Sequence, residues 1–148
     1  MPEKETLRRA AKDKAEGKSP STQAGEFVHE EIEHIREGKH GARSAKQAIA
    51  IGLAKARRAG VKLPAPEKGE ASKETREQAK RDLKKGRKAA KKKPSAKRSR
   101  AALRKLKREG RSAASKTALS RQAHKAAAKR SAASRSRSAK KAAATRKK

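Results

Sequence analysis

The sequence predicts a mostly α-helical chain with disorder: a short helical hairpin at about residues 21–63 followed by a long basic low-complexity tail. Three observations lead there. First, only 32% of the 148 residues are hydrophobic, 41% are charged, and the formal net charge is +31. So little apolar surface does not offset the entropy of ordering the whole chain, so a large core is excluded and only a short stretch is expected to fold. Second, a regular apolar period is best developed between residues 21 and 63. Third, charge is segregated. Residues 1–66 hold 14 Lys and Arg against nine Asp and Glu, and residues 67–82 hold five of each. Residues 83–148 hold 27 cations and a single acid, Glu109. Such a block repels itself unless a polyanion neutralises it.

Residues 1–20 form a polar N-terminal segment. Leu7, Ala10, Ala11 and Ala15 line one side of a short helix ended by Gly17, marginal on its own at this length. In the hairpin, Ser21 or Thr22 caps a helix running to about Glu37, and Gly38 stops it. At about 100° per residue, Ala24, Phe27, Val28, Ile32 and Ile35 share one side, and Glu26, Glu30, Glu33 and Glu37 fall on the other. That acidic side is expected to be solubilising, with docking of the chain's own basic tail as the alternative role. A connection, KHGAR at 39–43, leads to Ser44 and Gln47, spaced as a capping box. They open a second helix to Ala59, stopped by Gly60. Its apolar face is Ala45, Ala48, Ile49, Gly52, Leu53, Ala56 and Ala59, with Lys46, Lys55, Arg57 and Arg58 off it. Gly52 on that face permits close backbone approach. Two such helices make an antiparallel hairpin. A unit this small needs further cover, and self-association into a four-helix bundle, a homodimer through the hairpin, would supply it.

Residues 64–86 read as a linker, PAPEKGEAS at 64–72, and then a solvated helix at 73–85 supported by Glu77 and Arg81 and ended by Gly86. Residues 87–148 are the Lys/Arg/Ala/Ser-rich tail. It holds a lysine run broken by Pro94, a short basic helix from Ser99 to Glu109 stopped by Gly110, and then low complexity. Dense like charge opposes helix there in free solution, so the tail is expected to order only when neutralised.

With no cysteine, disulfides and thiolate metal sites are ruled out. No apolar run approaches the ~20 residues of a bilayer span, and the N-terminus lacks a secretory signal's apolar stretch. A soluble, cytoplasmic protein without membrane association is expected. No phosphate loop, nucleophile elbow or buried carboxylate pair is visible, so the protein is expected not to be an enzyme and to carry no cofactor. His29 and His34 flank HEEIEH five residues apart, about 140° around a helix. The zincin pattern needs histidines four apart. His40 could join His34 from the connecting loop, but no further ligand set stands out, and the histidines are read as surface groups.

The tail carries the functional expectation. Each phosphate neutralised by a cation releases condensed counterions, so binding is tight at low salt and nearly indifferent to sequence. The residues expected to bind nucleic acid are Lys84, Lys85, Arg87, Lys88, Lys91, Lys92, Lys93, Lys97, Arg98, Arg100, Arg104, Lys105, Lys107 and Arg108. RNA is the rival partner. Single-strand and RNA binders commonly stack bases on aromatic rings, and the tail has none, which favours duplex DNA. A third reading makes the hairpin a protein-interaction module and the tail an electrostatic tether.

The stretch ARSAKQAIAIGLAKARRAGVKLP, Ala42 to Pro64, resembles a family of small bacterial proteins of unknown function whose helical segment reads roughly SRKQAIAIGLSEARKAG, often beside a lysine-rich extension. The matching positions are Ser44, Lys46, Gln47, Ala48, Ile49, Ala50, Ile51, Gly52, Leu53, Ala56, Arg57, Ala59 and Gly60. Lys55 stands where the pattern has glutamate. The resemblance implies a bacterial cytoplasmic protein, of a kind often labelled DNA-binding, and brings no catalytic residues. Separately, the tail is similar in Lys/Ala/Ser/Pro usage to linker-histone tails, implying a histone-like, nucleoid-associated role.

Overall fold

Serine caps and glycine stops set the helix boundaries. The computed structural model describes residues 1–87 and 95–146, and over them the chain forms seven α-helices. These are α1 Lys4–Ala15, α2 Pro20–Arg36, α3 Ala45–Arg58, α4 Lys73–Arg87, α5 Ala96–Lys107, α6 Lys116–Ala128 and α7 Ala132–Arg146, with a 3₁₀ turn at Ser112–Ala114. The cap of α2 is Ser19, two residues before the expected position, because Pro20 suits the first helical turn and the Ser19 hydroxyl accepts from the Thr22 N–H at 3.4 Å. Ser44 caps α3 as expected, accepting from the Gln47 N–H at 3.2 Å. Gln47 Oε1 returns the bond one residue earlier than in a standard capping box, to the Arg43 N–H at 2.8 Å. Helix α2 ends in a Schellman closure: Gly38 has φ +78°, and the Lys39 N–H reaches back to the His34 carbonyl at 2.9 Å. Gly60 closes α3 in the same way, with φ +102°.

Helices α2 and α3 form the expected antiparallel pair. Near the turn Ile32 and Ile35 pack with Ala42 and Ala48, while at the far end Ala24 and Phe27 pack with Ala56. Gly52 is the point of closest approach: a Cβ there would stand 2.6 Å from Val28 Cα and 3.0 Å from the Phe27 carbonyl oxygen. Phe27 and Ile35 are fully buried, and a large apolar side chain buried to this extent contributes about 1.5–3 kcal/mol.

The rest of the chain supplies the cover that the pair lacks. Helix α1 packs on α2, with Ala10 joining the Phe27 cluster. Helix α4 packs on α3 rather than standing in solvent. Its Asp82 is 1% exposed and pairs with Arg58 at 3.1 Å, and Ala79 is buried beside it. Two expected faces shift accordingly. Ala59 is exposed, whereas Arg57, expected off the apolar face, is buried. Arg57 donates to the Leu63 carbonyl at 3.3 Å and the Pro64 carbonyl at 3.0 Å, pinning the linker. Burial holds its guanidinium below the ordinary value, against the attraction of Asp82. Helices α1 and α4 thus cover part of the pair's apolar surface within the same chain.

The expectation of a long disordered tail is overturned. Residues 116–128 and 132–146, expected as low complexity, are helical, and the short basic helix expected from Ser99 to Glu109 is α5 at 96–107. Ala, Lys and Arg are all strong helix formers, and serines that read as low complexity act as caps. Ser115 accepts from the Ala118 N–H at 3.2 Å, and Ser131 from the Ser134 N–H at 3.2 Å. The tail also enters the core. Ala113 and Ala114 are 4% and 1% exposed and pack with Ile32, Ile35 and Ala48, with Leu119 of α6 against them. Arg36 Nε donates to the Ala114 carbonyl at 3.1 Å. Like-charge repulsion is local and screened, and it does not outweigh alanine burial plus capped helix formation.

Candidate nucleic-acid interface

Helix α5 concentrates the expected binding residues. At 100° per residue, Lys97, Arg100, Arg104, Lys107 and the C-cap Arg108 fall within an arc of about 100°, and all five are exposed. Ser99, Ala102 and the half-buried Leu106 face the other way. Arg98 and Lys105, also exposed, lie to one side of the stripe. From 97 to 108 the stripe runs about 16 Å, over which duplex DNA carries roughly nine charges. No residue of α5 is buried. The helix is held at its C-terminal end, where the Gly41 N–H donates to the Leu106 carbonyl at 2.9 Å and the Ala42 N–H to the Gly110 carbonyl at 3.1 Å.

The remaining cations are more scattered. Lys84, Lys85 and Arg87 are exposed in the last turn of α4, where positive charge complements the helix dipole. Lys88, Lys91, Lys92 and Lys93 lie outside the described residues. On α7, Arg135, Arg137, Lys140, Lys141 and Arg146 are exposed but spread around the helix. On α6, Lys116, Arg121 and Lys125 are exposed. The structure therefore brings together the α5 cations on one face and leaves the α4 group on a separate helix.

The acidic side of α2 is open only at its C-terminal end, where Glu33 is partly exposed and Glu37 exposed. Glu26 pairs with Arg9 of α1 at 2.6 Å, and Glu30 is only 4% exposed. Burial alone would raise the Glu30 carboxyl. The Thr6 hydroxyl, the Glu3 N–H at 3.0 Å and Lys55 outweigh it and hold Glu30 below the ordinary value. Glu31, which the periodicity left unassigned, is fully buried. Lys55 is half-buried between these two carboxylates, 3.3 Å from Glu30 Oε1 and 2.6 Å from Glu31 Oε2.

Two histidines read as surface groups also turn inward. His34 and His40 are 14% and 10% exposed and meet edge to face with ring centroids 6.2 Å apart. His40 Nε2 lies 3.3 Å from Glu31 Oε1, and His34 Nε2 lies 2.8 Å from Glu3 Oε1. That bond, and then Lys39, hold the Glu3 carboxyl below its ordinary value. The signal in the sequence was the i, i+3 pair Glu31 and His34, which share one side of a helix. His29 is exposed and separate.

Comparison with known proteins places part of the chain. Residues 13–68 match the model of a family of unknown function (DUF6496). No curated protein and no solved structure matches the chain. The matched segment runs from the end of α1 through α2 and α3 into the linker, so it contains the Gly52 contact and the Glu31, His34 and His40 group. The cation-bearing helices α4 to α7 lie beyond it. Among the described residues no helix is long and apolar enough to cross a membrane.

Proposed function

We propose that this protein binds duplex DNA without sequence preference, through phosphate contacts of exposed cations on α4 to α7. The observation that carries the reading is the α5 stripe: five exposed cations on one face of a helix with no buried residue, within residues 83–148, whose single acid is Glu109. A ~16 Å row of cations already held on one helix face can meet a polyanion with less ordering cost than the same charges on an extended coil. Phe27, the chain's one aromatic of the Phe/Trp/Tyr class, is buried in the core. No such ring is offered for stacking on unpaired bases, which favours duplex over single-stranded partners. The likeness to linker-histone tails and the location of such cations on several helices support a histone-like, nucleoid-associated role, with the core as a platform. The reading assigns no catalysis.

Neutralising the stripe tests it. Arg100→Ala, Arg104→Ala and Lys107→Ala together remove three phosphate contacts and should flatten the slope of log K against log salt by roughly 2.7. Lys4→Ala, Lys12→Ala and Lys14→Ala on α1 are the charge-matched control and should change it less. Equal effects from the two triples would show that net charge alone, not α5, determines binding. Parallel titration of structured RNA at equal salt separates the rival partner: tighter RNA binding would reverse the assignment.

A further inference from the structure

We propose that Glu31, His34 and His40 form a binding site for a divalent metal of the zinc class. One nitrogen from each histidine and one Glu31 oxygen lie within 4.8 Å of one another. Their chemistry, two imidazoles and a carboxylate, suits zinc with a fourth position open to water.

The geometry around His40 supports the site. Its Nδ1 lies 3.1 Å from the Gly41 carbonyl oxygen, which can only accept, so Nδ1 carries the proton. Nε2 faces Glu31 Oε1 at 3.3 Å. When the ring is neutral, its Nε2 lone pair and the carboxylate oxygen are two acceptors facing one another, an arrangement that a metal cation between them satisfies. At metal–ligand distances of 2.0–2.1 Å, two ligands of a tetrahedral zinc stand about 3.3 Å apart, which is the separation found. A carbonyl bonded to the second ring nitrogen is also the usual outer support of a ligating histidine.

Charge balance points the same way. Glu31 is fully buried, and neither of its oxygens receives an aligned hydrogen bond. Lys55 approaches Oε2 closely but is shared with Glu30. Two buried carboxylates, Glu30 and Glu31, thus share one ammonium, and a dication held by the two imidazoles would correct the deficit. Lys55 occupies the Oε2 side and leaves Oε1 for the metal. His34 follows the same outer-support pattern, since its Nε2 meets the Glu3 carboxylate at 2.8 Å and its Nδ1 is left unprotonated when Nε2 donates. His40 adjoins Gly41, whose N–H holds the C-terminal end of α5. A metal here would therefore clamp the loop on which the cationic helix is mounted.

The test uses the full chain, stripped with a chelator and titrated with Zn²⁺ against a chromophoric competitor, and separately with Co²⁺. One zinc per chain, a higher melting temperature and the intense visible Co²⁺ bands of a four-coordinate site are expected. His34→Ala and His40→Ala should each weaken binding by more than about tenfold. His29→Ala and His124→Ala, at exposed positions, should not. His40→Gln serves as the second variant if His40→Ala fails to fold, with circular dichroism reporting the fold. Failure of the full chain to compete for Zn²⁺ would overturn the proposal. So would equal losses from the exposed and the inward histidines, or a weakly coloured six-coordinate Co²⁺ spectrum.

Discussion

Gly52→Ala separates local propensity from packing, because the two give opposite signs. Within a helix the change should stabilise by up to about 1 kcal/mol. In this fold the added methyl stands 2.6 Å from Val28 Cα, 3.0 Å from the Phe27 carbonyl oxygen and 3.0 Å from Val28 Cγ2. Two of these atoms are backbone, so no rotamer change relieves the clash. Helices α2 and α3 must part by about 1 Å to restore ordinary carbon contact distances, which loosens the packing of Phe27 and Ala56. Overpacking of this kind costs roughly 1–3 kcal/mol, and parting the core adds to it. A net loss of about 1–2 kcal/mol is expected. Gly25→Ala is the internal control, since Gly25 is exposed on α2 with nothing within 4 Å of a Cβ. It should gain about 0.5–1 kcal/mol. Urea unfolding followed by circular dichroism at 222 nm measures both. If Gly52→Ala stabilises as much as Gly25→Ala, the two helices do not meet as described.

Other outcomes follow from the same contacts. Ala114→Glu would place a carboxylate at a position 1% exposed and should cost on the order of 3 kcal/mol or more, whereas Ala142→Glu on exposed α7 should stay within about 0.5 kcal/mol of the parent. Similar values for the two in urea unfolding would show that the 3₁₀ turn is not part of the core. Glu30 and Glu3 have folded values below the ordinary 4.5. Their stabilisation is therefore full above that value and is lost as pH falls through the folded values. Urea midpoints should drop below about pH 4.5, and Glu30→Gln should start lower at pH 7 and fall less steeply. A steeper fall in the variant would refute the assignment.

The α2–α3 pair was legible because its signals are local: apolar period, serine cap and glycine stop all agree. Two features of the region beyond it were not. Ala113 and Ala114 are small and flanked by cations, so nothing in their neighbourhood marks them as core. Their burial depends on α2 and α3 leaving a surface of Ile32, Ile35 and Ala48 close enough to fill. Helices α6 and α7 are not evident where like-charge repulsion is weighed without the caps that Ser115 and Ser131 supply. For the binding residues, composition located the cations but not their arrangement; the α5 stripe follows from helix phase once that segment is helical. The Glu31, His34 and His40 group needed a loop to bring His40 back over α2. A carboxylate one position from the acidic side gave no hint that it was fully enclosed. Glu30 shows the same limit, since its exposure was removed by α1, a helix too short to be trusted alone.

Because Ala113 and Ala114 lie in the core, cutting the tail away would damage the platform as well as the charge. The decisive measurement therefore keeps the chain whole: its affinity for a duplex of arbitrary sequence between about 50 and 200 mM salt, the range over which 6–10 phosphate contacts change affinity by roughly 10³–10⁵. The account predicts a steep linear fall, with a log–log slope of about −5 or steeper, and the same slope for unrelated sequences. A chain that fails to bind duplex at the lowest salt, or whose binding is flat across this range, contradicts it.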